Sequence, residues 1–231
     1  MLTHLFFDFF GTLVDYSASR TEQGYEQSHR ILTDAGCELG YDAFLQQWDQ
    51  VASRFEADAR ISLIEYSMDQ VCGAFLERVL GETPSTEILA RFRDRYLAEW
   101  NSGVVYLPGV PAMLERLSEH YTLVLITNTH SAELVPEHLQ RMGVASRFEE
   151  VITSVEHGRR KPHPELFEHS LSRVSAAPET SAYIGDSFEA DYQGSRGVGM
   201  TCYLIDPDFT ADVPTRARLS SIFELEKKLE A

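Results

Sequence analysis

Positive charge is scarce in this 231-residue chain, and lysine is nearly absent. There are three lysines, Lys161, Lys227 and Lys228, beside 17 arginines, and the 20 basic residues face 36 acidic ones for a net charge of −16. A surface that negative repels phosphate backbones and anionic lipid, which argues against nucleic acid or membrane as the main partner. Two of the lysines belong to the polar stretch near the C-terminus, so Lys161 stands alone in the body of the chain. Cysteine is sparse too: Cys37, Cys72 and Cys202 form no CxxC pair. An odd, widely spaced set predicts reduced thiols and no disulfide framework. Long apolar runs are missing. The run at residues 123–126 is far too short to span a bilayer. The opening MLTHLFFDFF lacks a basic flank and is interrupted by Asp8, so it does not read as a signal peptide. The expectation is a soluble, cytoplasmic protein.

What is present is ordinary for a folded chain. Apolar residues make up 43% and charged ones 24%, which excludes disorder, collagen and a coiled-coil rod. Five short apolar runs, at residues 2–7, 122–126, 150–153, 181–184 and 201–205, read as strands. Helical patterns at 110–120, 132–142 and 164–174 lie between the later ones. Such alternation is the signature of a doubly wound α/β fold, a parallel sheet covered on both faces. The interval between the first two strands breaks the rhythm. It carries four helical segments, roughly 19–35, 42–59, 65–80 and 85–101, too many for one crossover. An inserted helical module over 16–100 is expected, with 1–15 and 101–231 forming the α/β core and hinges near 15–17 and 100–107.

Ligands of a doubly wound sheet bind where strands end and loops leave. The polar residues at those points are Asp8 to Thr12, Thr127 to His130, Gly158 to Pro164, and Gly185 to Asp191. Asp8 could be a nucleophile or a turn aspartate. Asp186 and Asp191 could ligate a hard cation, and Asp191 could instead sit at a helix N-terminus. Lys161 could balance these carboxylates, or be a surface lysine before a helix that starts at Pro164. Thr127 could be a polar loop residue, and His130 an acid or base in the same loop or simply a solvated histidine.

Taken together and in order, DxxGT, a hydrophobic run ending in Thr-Asn, KPxP and GDxxxxD resemble the four motifs of the haloacid dehalogenase superfamily. The resemblance spans the whole core and places the helical insertion where that family carries a C1-type cap. It implies a Rossmann-like core and a hydrolase that acts on a small molecule, in most members a phosphorylated one. Asp8 would be the nucleophile that forms a covalent aspartyl intermediate, and Thr127 and Lys161 would complete the catalytic set. Thr127, Asn128 and Lys161 would bind substrate. Asp8, the Phe10 backbone carbonyl, Asp186 and Asp191 would hold Mg²⁺, Asp191 directly or through water. Gly11 fits a tight turn, and Thr12 is either a turn hydroxyl, the preferred reading, or a substrate contact.

One position departs from the pattern. Family phosphatases carry a second aspartate two residues after the nucleophile, as general acid and base, and here that residue is Phe10. Three readings follow: a Mg²⁺-dependent phosphohydrolase whose leaving groups need no proton, placed first; a 2-haloacid dehalogenase; and a non-catalytic ligand-binding member. Arg20, Tyr25, Arg54, Arg60 and Tyr66 of the insertion are candidates to face the substrate.

Overall fold

His4–Phe7 form strand β1, and the apolar run HLFF needs both faces covered because β1 lies inside the sheet. A computed structural model describes residues 1–16 and 24–230. Arg20 and the start of the first expected inserted helix lie outside the described residues. The chain divides into two units, Met1–Asp15 with Val105–Ala231, and Tyr16–Val104.

After β1 come β2 (Val14–Tyr16) and four helices: α1 (Glu26–Asp34), α2 (Tyr41–Ser62), α3 (Met68–Leu80) and α4 (Thr86–Asn101). Strand β3 (Val104–Tyr106) follows and pairs with β2. The rest alternates: α5 (Val110–Ser118), β4 (Thr122–Thr127), α6 (Leu134–Arg141), β5 (Phe148–Thr153), α7 (Ser154–His157), α8 (Pro164–Arg173) and β6 (Ser181–Gly185). A π-helical turn over Phe188–Gln193 leads into α9 (Gly194–Gly197), β7 (Thr201–Ile205), β8 (Arg218–Leu219) and α10 (Leu225–Leu229).

The main sheet has the order β5-β4-β1-β6-β7-β8, with every neighbouring pair parallel. Its interior strands β1, β4 and β6 are buried almost throughout, whereas β7 nearer the edge alternates. Phe7 stands level with Leu125 and with Ile184, so the three strand ends that carry Asp8, Thr127 and Asp186 emerge side by side.

The helical unit has its own aromatic core. Phe44, Phe75 and Phe92 are fully buried and pack with Trp48 and Tyr96. Helix α3 begins at Met68, later than the pattern suggests, because Ser67 and Gln70 close a capping box there. Helix α1 has no side-chain cap of its own. The Glu99 carboxylate of α4 instead accepts the backbone N–H groups of Gln27 and Ser28 at 2.7 and 2.9 Å. Tyr25 stacks on Tyr96 at 4.8 Å as part of this core, and Tyr66 packs on Phe55 at 5.2 Å. Tyr25 is buried in this core and Tyr66 is half-buried, while Arg54 and Arg60 are exposed.

Candidate active site

The loop leaving β1 turns sharply because Gly11 adopts φ +81°, a conformation that L side chains rarely take. A β-carbon at Gly11 would stand 2.3 Å from Asp186 Oδ2, and one at Gly185 would stand 2.3 Å from Asp191 Cγ. The two glycines thus make room for two carboxylates. The π-helical turn after β6 brings the second one back toward the sheet: Asp191 and Tyr192 both donate their N–H to the Ser187 carbonyl, at 3.0 and 3.1 Å.

These features place one carboxylate oxygen each of Asp8, Asp186 and Asp191 within 4.8 Å of one another. Asp8 and Asp191 are buried, and Asp186 is open to solvent. Lys161 reaches into the group with its side chain almost wholly buried, its Nζ 2.8 Å from Asp8 Oδ1 and 2.6 Å from Asp191 Oδ1. Lys161 is no surface lysine. Asp191 is engaged at both oxygens, since Oδ2 accepts the Ser187 N–H at 2.9 Å.

Three carboxylates and one ammonium leave two negative charges uncompensated. Burial, reinforced by the charge of Asp191, pushes Asp8 up to about 6 despite Lys161. Asp186 keeps one side open to solvent, but the protein crowded against its other side and the charges of Asp8 and Asp191 push it up to about 7. Burial opposes the charge of Lys161, but Asp191 and Asp8 outweigh it and hold the ammonium above its ordinary value. A divalent cation suits this donor set, being hard, carboxylate-seeking and of the charge that is missing.

Thr127 ends β4 and is buried. Asn128 clamps the Lys161 backbone from the neighbouring loop, donating from Nδ2 to the Lys161 carbonyl at 3.1 Å and accepting the Lys161 N–H at Oδ1 at 2.8 Å. Its side chain therefore positions the lysine, a use that the motif alone does not reveal. The Thr12 hydroxyl is buried with no hydrogen-bond partner among the described residues, so it is not the turn hydroxyl that its place suggests. Arg159 pairs with Glu165 at the surface.

Phe10 is turned toward apolar company. Its ring lies edge-on to Phe9 at 4.9 Å and to the buried His138 of α6 at 6.1 Å. His138 Nδ1 is 2.9 Å from the Tyr106 hydroxyl, and burial holds this imidazole down at about 4, so it is neutral at physiological pH. Nothing in the sequence marks His138 or Tyr106, which are 32 positions apart. Tyr183 was equally silent as one aromatic in a strand, yet its hydroxyl touches Lys161 Nζ at 2.7 Å.

The family model described as haloacid dehalogenase-like hydrolase matches residues 38–205, and the chain belongs to that family. It is a hydrolase of the haloacid dehalogenase superfamily, built on the family's α/β fold. The chain is 24% identical to a ribulose-1,5-bisphosphate 5-phosphatase of Halopiger xanaduensis, over 94% of its own length and 90% of that protein's. It is 34% identical to a glyceraldehyde 3-phosphate phosphatase of Methanothermobacter thermautotrophicus, over 42% of this chain and 43% of the relative. Among solved structures it resembles a 2-haloacid dehalogenase of Pseudomonas syringae with a TM-score of 0.77, at 21% identity over 100% of this chain and 99% of the other. A haloacid dehalogenase-type phosphatase of Thermococcus onnurineus follows the same fold with a TM-score of 0.57, at 20% identity over 99% and 98% of the two chains.

Proposed function

We propose that this hydrolase is a Mg²⁺-dependent phosphohydrolase of a small phosphorylated metabolite, with Asp8 as nucleophile. The observation that carries this reading is the charge of the site: three carboxylates within 4.8 Å and a single buried ammonium among them. A dehalogenase that displaces halide has no need of such a surplus. The phosphatase names of the relatives support the same choice. Asp8, Asp186 and the Phe10 carbonyl would hold the ion, with Asp191 linked to it through water. When bound, it would supply positive charge against the nucleophile and the phosphoryl oxygens.

The chain's own groups do the rest. An Asp8 carboxylate oxygen forms a bond to phosphorus, and the bond from phosphorus to the leaving oxygen breaks with its electron pair. Lys161 keeps Asp8 charged and oriented. The Thr127 hydroxyl and the Asn128 N–H donate to the phosphoryl oxygens, where negative charge must be stabilised. Water then cleaves the aspartyl-phosphate and restores Asp8. Phe10 offers no proton to the leaving oxygen, so substrates with weakly basic leaving groups, aryl and acyl phosphates, are favoured over alkyl phosphates. The inserted helical unit is the part assigned to choosing the metabolite, and the cytoplasm is the working compartment.

Phe10 also favours a second reading, 2-haloacid dehalogenation, because halide departs from carbon without a proton. A panel of aryl, alkyl and acyl phosphates and 2-chloropropionate, each with Mg²⁺ or with EDTA, separates the two. Turnover of phosphates that vanishes in EDTA is expected. Dechlorination that persists in EDTA, with no phosphate released, would replace the first reading by the second.

A further inference from the structure

We propose that Tyr183 is a positioning residue that holds the Lys161 ammonium in its catalytic orientation. It is fully buried in the middle of β6, level with Phe6 of β1. Its hydroxyl lies 2.9 Å from the Ile126 carbonyl and 2.7 Å from Lys161 Nζ.

The polarity of these bonds is determined by proton count. An ammonium has three N–H donors and accepts nothing, and a phenol has one O–H. The phenolic proton goes to the Ile126 carbonyl or to the Asp191 carboxylate, because Lys161 cannot accept it. The phenolic oxygen therefore accepts from Lys161. Around Nζ stand four acceptors: Asp191 at 2.6 Å, Tyr183 at 2.7 Å, Asp8 at 2.8 Å and the Ile126 carbonyl at 3.2 Å. Three short bonds use the three protons, and the fourth contact is the long one. Tyr183 is the neutral member of the short set, so it takes one proton of Lys161 and leaves one each for Asp191 and the nucleophile.

The ring is anchored as well as its oxygen. Phe167 packs edge-on to it at 5.5 Å, and the ammonium lies 5.3 Å from its centroid. A buried phenol needs one hydrogen-bond partner, and the Ile126 carbonyl alone would serve. The contact with Lys161 is additional to what the core demands. It also joins two of the sequence motifs, because Ile126 immediately precedes Thr127. Phenylalanine would fill the same space, so the tyrosine oxygen is what the lysine requires.

The kinetic arm of the test rests on the phosphohydrolase reading, and the spectroscopic arm does not. The chain has only three lysines, so ¹⁵N-lysine labelling gives one buried ammonium signal with Lys227 and Lys228 as internal references. In Tyr183→Phe, the Lys161 ¹⁵Nζ signal should move and its protons should exchange faster, while the other two signals stay in place. On an aryl phosphate, kcat should fall about 10- to 100-fold with KM held within about threefold, the pattern of a misplaced reacting group. An unmoved Lys161 signal with kcat within about twofold of wild type would overturn the proposal. Should both proteins lack phosphatase activity, the phosphohydrolase reading fails and the ammonium signal alone decides the role of Tyr183. If the variant does not fold, the wild-type protein decides: a nuclear Overhauser effect between the Tyr183 ring hydrogens and the Lys161 ammonium protons is expected, and its absence refutes the contact.

Discussion

Lys161 carries a double charge duty, since Asp8 and Asp191 both pair with its one ammonium. Lys161→Met keeps the length of the side chain and deletes its charge. It should destabilise the protein by roughly 3–5 kcal/mol in urea unfolding at neutral pH, the usual cost of stranding a buried partner. A loss under about 1 kcal/mol would mean that the pair is already hydrated. The carboxylates themselves give a pH prediction. Asp8 and Asp186 are raised from 3.8 to about 6 and about 7, so the metal-free fold binds more protons than the unfolded chain between those limits. Their contribution is intact below about pH 4 and is lost as pH rises through 6 and 7. His138, lowered to about 4, acts in the opposite sense and loses stability as pH falls. The Mg²⁺-induced rise in melting temperature, which His138 does not affect, should therefore be larger at pH 8 than at pH 5. Equal shifts would show that the ion does not relieve this repulsion. Phe10→Asp should raise alkyl phosphate turnover more than aryl turnover, by about 10- to 1000-fold if the carboxyl reaches the leaving oxygen. Circular dichroism must first show that a carboxylate is tolerated against Phe9 and His138. Asp8 and Asp186 were legible as candidates because each stands at a strand exit, and Lys161 and Asp191 because they follow in the loop and turn beyond one. The side-chain duty of Asn128 was not, because its partner is the backbone of a residue 33 positions away.

Elements were readable in proportion to how much apolar surface they bury. The interior strands announce themselves as unbroken apolar runs, since both of their faces are covered. β2, β3 and β8 have two or three residues each and too little pattern to stand out from loops. Helix ends were misplaced where a side chain sets them, as Ser67 does for α3. Two elements support further predictions. Gly185→Ala at the end of β6 would drive a methyl group into Asp191 and should abolish turnover. Wild-type activity in that variant would mean that Asp191 can move without consequence. Glu99→Ala should cost the helical unit about 1–2 kcal/mol by uncapping α1, measured by the urea midpoint. An unchanged midpoint would mean that water replaces the carboxylate.

At the scale of the whole molecule, the charge of −16 works against an anionic substrate. Added salt screens that field within about 10 Å at 0.1 M, so kcat/KM for a phosphate ester at saturating Mg²⁺ should rise with ionic strength. A fall would reveal a local positive funnel that outweighs the global charge.

The order in which the chain is made has a consequence of its own. β1 leaves the ribosome well before its two sheet partners, β4 and β6, which begin at residues 122 and 181. The helical unit is complete by Val104 and has its own aromatic core, so it can form while the central strand still waits. During that wait the segment HLFFDFF is an unpaired apolar strand, the kind of surface that captures other nascent chains or a chaperone. The strand that presents the nucleophile is thus made before both of its partners and stays uncovered on one edge until β6 arrives.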